Sequence, residues 1–152
     1  MIFTAIPREA LDVVWQDVAS MLAKAVATSN GKFHIDDIYR DIENGTYSLW
    51  LAIDKELEGN KVVAGITTRV IAYPNKKSLA MDWIGGNRMA EWMPLAMEKL
   101  TKFATDCDCC ALEGYGRKAW GRVLKRYNWE PDYIASALFI MSMAYGSKYL
   151  GK

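Results

Sequence analysis

The chain has 152 residues, of which 51% are hydrophobic and 24% charged, and its formal net charge is +1. These values exclude a disordered, collagen-like or coiled-coil chain, and a charge so near zero selects no class of partner. Residues 1–152 are expected to form a single domain, long enough to bury most of the apolar surface that the unfolded chain exposes.

The opening stretch, MIFTAIPREALDVVWQD, has no basic segment followed by an apolar one, and acids begin at Glu9, so no signal peptide is expected. No apolar run approaches the ~20 residues needed to span a bilayer. The expected location is the cytosol, or a particle packaged from it, with no membrane partner. Three cysteines lie together at Cys107, Cys109 and Cys110, too close to staple distant parts of a fold, and are expected as reduced thiols. Cys107 and Cys110 have C-x-x-C spacing, but they close a helix and enter a strand, where a redox motif would open a helix. His34 is the only histidine, so a zinc site lacks ligands and no metal is expected.

In chain order, Pro7 suits the first turn of a helix, and Leu11, Val14, Trp15, Val18, Leu22 and Ala25 continue it as one apolar stripe to about Ser29-Asn30-Gly31. Ile35, Ile38, Tyr39 and Ile42 mark a shorter second helix. Asp36 and Asp37 complement its positive end, and Gly45 suits a left-handed position just past its close. From Thr46 the period changes to two, with Tyr47, Leu49, Leu51 and Ile53 on one side of a strand. Gly59-Asn60 turns the chain into Lys61 to Tyr73, and Pro74-Asn75 turns it again into Ser78 to Ile84, which makes an antiparallel meander. A long helix over about Asn87 to Thr105 follows. Pro94 requires it to start near Trp92 or to carry a kink.

Cys110-Ala111-Leu112 reads as a short buried strand broken by Gly114 and Gly116, after which a helix starts at Arg117. Trp120, Val123, Leu124 and Tyr127 form its apolar face, and Arg117, Lys118, Arg122, Lys125 and Arg126 its basic one. Tyr133 to Met143 reads as a last strand, and Ala144 to Lys152 as a loose tail. The expected order is two helices, three strands, helix, strand, helix, strand. That gives an α+β fold, a mixed and mostly antiparallel sheet with helices on both faces. The basic helix could hold nucleic acid or present a charged face to a protein partner. Six tryptophans and eight methionines exceed what a small core ordinarily uses, which suits an assembly surface.

The element order, the turn Trp83-Ile84-Gly85-Gly86, Ala90-Glu91-Trp92, Glu113, and the run Gly116-Arg117-Lys118-Ala119-Trp120-Gly121-Arg122-Val123-Leu124 resemble the GNAT (GCN5-related N-acetyltransferase) fold. More narrowly, they resemble the diverged GNAT-like proteins of tailed phages and prophages, across roughly residues 33 to 143. The resemblance implies acetyl-CoA as a possible cofactor, with Gly85, Gly86, Asn87 and Arg88 as the candidate cradle for its pyrophosphate. It implies Glu113 and Asp82 as candidate catalytic bases for an amine, either of which could instead pair with Arg88 or Arg117 or point to solvent.

Two departures count against canonical transfer. The family's R/Q-x-x-G-x-G/A spacing is replaced by Gly85-Gly86-Asn87-Arg88-Met89-Ala90. If Asn128-Trp129 stands for the family's Gly-aromatic pair, the tyrosine general acid falls on Leu124, which carries no proton to give. The expectation is a structural or interaction protein of a virion or the host cytoplasm, partnered by portal, tail or head proteins. The alternative is an active N-acetyltransferase.

Overall fold

A computed structural model describes residues 1–56, 58–116, 122–129 and 143–149. Their elements are β1 (Ile2–Ile6), α1 (Leu11–Val26), α2 (Ile35–Glu43), β2 (Ser48–Asp54), β3 (Lys61–Ala72), β4 (Lys77–Gly86), α3 (Met89–Asp106), β5 (Ala111–Gly116) and β6 (Met143–Tyr149). The six strands hydrogen-bond in chain order. β1 with β2, β2 with β3, and β5 with β6 are antiparallel, whereas β4 and β5 are parallel. Parallel neighbours need a crossover, and α3 is that connection. The mixed, mostly antiparallel α+β sheet expected from the sequence is therefore the observed fold.

Residue contacts group the chain into two compact units, one of Met1–Thr68 with Trp83–Lys99, the other of Arg69–Asp82 with the described residues from Leu100 onward. In the first, Leu11, Val18, Leu22 and Val26 of α1 meet Ile38 and Ile42 of α2 and Tyr47, Leu49 and Leu51 around β2. The three-and-four spacing read in the sequence thus faces the core, each fully buried Leu or Ile contributing roughly 1.5–3 kcal/mol. Gly65 lets α1 lie close on β3, because a Cβ there would fall 2.3 Å from Val18 Cγ2. Trp50 points the other way from Leu49 and Leu51. Phe3 stacks on it at 5.6 Å and on Trp92 of α3 at 6.5 Å, so helices cover both faces of this part of the sheet.

The start of α2 is chemically specified. Asp36 N–H donates to His34 Nδ1 at 3.2 Å and His34 N–H to Asp37 Oδ2 at 2.8 Å, so two end donors of the helix are satisfied locally. Gly45, φ +87°, takes the left-handed conformation expected of it. In the second unit, β4 and β5 pair from Ser78↔Ala111 to Met81↔Gly114, and the buried Leu79, Met81, Leu100, Ala104 and Leu112 fill its core. Cys109 is buried there, its thiol pushed up by burial, and all three cysteines are free.

Several expectations need correction. The chain opens with a strand rather than a helix: β1 pairs along β2 from Ile2↔Ile53 to Ile6↔Leu49. Five residues with no turn signal before them are too few for a period to show. Pro7 follows β1, Arg8–Ala10 form a 3-10 turn, and α1 proper starts at Leu11. Gly114 and Gly116 do not break the fourth predicted strand, because β5 runs through both. At Gly114 the missing side chain makes room for Trp129, whose Cζ3 would lie 3.5 Å from a Cβ there. Residues 144–149 are not a loose tail; they belong to β6, which pairs with β5. The long helix starts at Met89, so Pro94 lies inside it rather than near its start.

The strand expected over Tyr133 to Met143 falls, apart from Met143, outside the described residues, as does Arg117 to Gly121 of the basic helix. Beyond that gap the amphipathic reading holds, with Leu124 buried, Val123 and Tyr127 half-buried, and Arg122, Lys125 and Arg126 exposed. Among the described residues, no tryptophan is fully exposed. Trp50, Trp92 and Trp129 are buried and Trp15 and Trp83 half-buried, while Trp120 lies outside the described residues. No described helix is long and apolar enough to cross a membrane.

Candidate functional site

The two candidate bases lie on neighbouring strands of the second unit. Glu113 on β5 is partnered in register by Ala80, two residues before Asp82 on β4. Asp82 meets not Arg88 but a third arginine, and Arg117 itself lies outside the described residues. Asp82 is gripped by Arg69 of β3, from Nε to Oδ2 at 2.6 Å and from Nη2 to Oδ1 at 3.3 Å. Glu113, only 6% exposed, accepts from the Tyr73 hydroxyl at 2.8 and 3.0 Å, one bond to each oxygen.

Burial pushes the Asp82 carboxyl above the ordinary aspartate value; Arg69 opposes this, while the negative charge of Glu113 adds to it. Asp82 is thus a buried acid beside a second carboxylate on the adjacent strand, the kind of environment in which functional acids are found. Sequence reading missed Arg69 and Tyr73. Counting outward from the Pro74-Asn75 turn, where Tyr73 N–H donates to the Lys76 carbonyl, places Arg69 opposite Ala80, two residues and one same-face step from Asp82.

The cradle residues lie in the first unit, each with a local structural role. A Cβ on Gly85 would sit 2.1 Å from the Met21 carbonyl oxygen, so this glycine lets β4 touch the backbone of α1. Gly86, φ +135°, presses as closely on β3, where a Cβ would meet the Val63 carbonyl oxygen at 2.4 Å. Asn87 N–H donates to that same oxygen at 2.8 Å.

Arg88 occupies the left-handed region at φ +58°, immediately before α3. Its guanidinium donates from Nη1 to Asp54 Oδ2 at 2.7 Å, from Nε to Glu91 Oε2 at 2.6 Å and from Nη2 to Glu91 Oε1 at 2.8 Å. Hydrogen bonds from Arg88 hold both carboxyls below the usual carboxylate range, and the two acids in turn raise the arginine. One cation against two anions leaves this end of α3 with a net negative charge.

Leu124, at the general-acid position implied by the resemblance, is 2% exposed. Its carbonyl accepts from Trp129 N–H at 3.2 Å across the left-handed Asn128. The chain segment has the geometry of a helix end followed by an aromatic, with no phenol at position 124; the nearest in sequence, Tyr127, is half-buried three residues on.

An α+β sheet ordered in this way, with a parallel β4–β5 pair joined by α3, is the fold of the GNAT N-acetyltransferases. Among solved structures, the aminoglycoside 6'-acetyltransferase type Ii matches with a TM-score of 0.73 at 10% identity, over 100% of this chain and 99% of the other. Tetrahymena GCN5 matches with a TM-score of 0.69 at 12% identity, over 99% and 97%. A mutant of the toxin AtaT, bound to the C-terminus of the antitoxin AtaR and acetyl-CoA, matches with a TM-score of 0.60 at 11% identity, over 97% and 92%. No protein-family model and no curated protein matches the chain.

Proposed function

We propose that this GNAT-fold chain does not carry out canonical acetyl transfer and acts instead as a structural or interaction protein of a tailed phage. The observation that carries the reading is Leu124. Where the resemblance calls for a tyrosine that protonates the departing thiolate, the chain has a buried aliphatic side chain. The phage assignment rests on the run Gly116 to Leu124, and a portal, tail or head protein is the proposed partner. The exposed Arg122, Lys125 and Arg126 offer it a basic face. The proposed location is the virion or the host cytoplasm.

Purified particles of the encoding phage test this role. The chain is expected there at a fixed stoichiometry to the portal or a tail protein. Its presence in the lysate but not in particles would overturn the virion role. Retention on a DNA column at physiological salt would point to nucleic acid as the partner of the basic face instead.

A second reading is favoured by the network of Arg69, Asp82, Glu113 and Tyr73. In an active N-acetyltransferase, Glu113 or Asp82 would remove the proton from an ammonium acceptor, and another group would protonate the leaving thiolate. Its test is thiol release from acetyl-CoA in the presence of an aminoglycoside, a lysine peptide and a peptide with a free N-terminal alanine. Release above the uncatalysed rate, lost in Glu113→Gln, would favour the enzyme.

A further inference from the structure

We infer that Asp54 and Glu91 act as an electrostatic gate that excludes coenzyme phosphates from the start of α3, a device built from the side chains around Arg88. The inference deepens the reading above and rests on it, since it gives a reason, separate from Leu124, why the cofactor of the fold would not be held.

The argument is one of charge and occupied donors. A pyrophosphate at a strand-to-helix turn is held by backbone N–H groups, by the positive end of the helix and by a nearby cation. Here each contribution is reduced by a named residue. Asn87 N–H is already bonded to Val63. The close approaches that Gly85 and Gly86 permit are taken up by Met21 and Val63 backbone. Both edges of the Arg88 guanidinium face carboxylates, with Glu91 bridged in two places and Asp54 in one.

Glu91 lies in the first turn of α3, where an acid is favoured by the helix dipole for the same reason that a phosphate would be. It therefore takes the place of an anionic ligand. Asp54 comes from the end of β2, a different element, and is itself only 6% exposed and fixed by a bond from Glu56 N–H at 3.0 Å. The two acids thus reach the guanidinium from different elements, Asp54 held by a further bond of its own, and a phosphate approaching Arg88 must displace one while being repelled by the other.

The test removes the charges and keeps the shapes. Inorganic pyrophosphate and coenzyme A are titrated calorimetrically into the wild-type protein, into Asp54→Asn, into Glu91→Gln and into the double variant, with circular dichroism confirming that each is folded. The gate predicts that the double variant binds both probes on the order of tenfold or more tighter than wild type, that each single variant lies between, and that the gain shrinks as salt rises. A folded double variant with no gain would overturn the gate while leaving the non-enzymatic reading intact. Wild-type protein that already binds as tightly as the double variant would overturn both. If the double variant fails to fold, the two single variants decide, because each is expected to show part of the gain.

Discussion

Arg88 Nη1 lies 2.7 Å from Asp54 Oδ2, so a residue at the start of α3 is tied to the end of β2 by a charge-assisted hydrogen bond. Arg88→Met removes the only cation among three charged side chains and leaves Asp54 and Glu91 facing each other. The variant is expected to unfold at a lower temperature than wild type, and Arg88→Lys to recover only part of the loss, because an ammonium cannot bridge two carboxylates with a planar fork. Thermal unfolding followed by circular dichroism measures this.

The same cluster sets a pH dependence. Asp54 and Glu91 both have folded-state values below those of the unfolded chain, so they contribute stability above the unfolded carboxylate value, about 4, and lose it as pH falls through the folded values. Wild-type denaturation midpoints should therefore fall below about pH 4. In Arg88→Met that acid limb should flatten, and an unchanged limb would show that other carboxylates dominate it.

Asp82 carries the opposite sign. Its folded value is raised, so its contribution is fully present below the unfolded value and is lost as pH rises through the folded one. Arg69→Met deepens that loss by removing the guanidinium that opposes burial. The cost should be about 1–3 kcal/mol near neutral pH and smaller in acid, where Asp82 is protonated. Urea denaturation at two pH values measures the difference.

Gly85→Ala tests whether the turn is fixed by backbone packing. The added methyl would meet the Met21 carbonyl oxygen at 2.1 Å, a contact that only movement of α1 or β4 can relieve. A loss of about 1–3 kcal/mol is expected. An alanine tolerated without loss would show that this approach is looser than described.

Asp37→Ala should cost about 1 kcal/mol, the usual worth of a helix cap, by removing the acceptor for His34 N–H at 2.8 Å. Asp36→Ala, whose side chain lacks that role, should cost less under the same chemical denaturation.

The sequence is legible where one residue's neighbours determine its environment. The stripe of α1, the caps of α2, the hairpin turns and the crossover through α3 all follow from periods and turn residues. β1 was hidden because a five-residue edge strand carries too little pattern. β6 was hidden because Gly146 and Ser147 read as a loop until β5 supplies a partner. The candidate site was half legible. Asp82, Glu113 and Arg88 stand out by type and position, but their partners Arg69, Tyr73 and Asp54 lie 13, 40 and 34 residues away, and pairing over such separations is set by the sheet.

Calorimetric titration of the wild-type protein with acetyl-CoA tests the central claim most directly. A chain without canonical transfer, with Arg88 neutralised and Leu124 in place of a proton donor, should give no saturable heat up to millimolar ligand. Saturable binding at micromolar acetyl-CoA, abolished in Arg88→Ala, would contradict it and favour the enzyme.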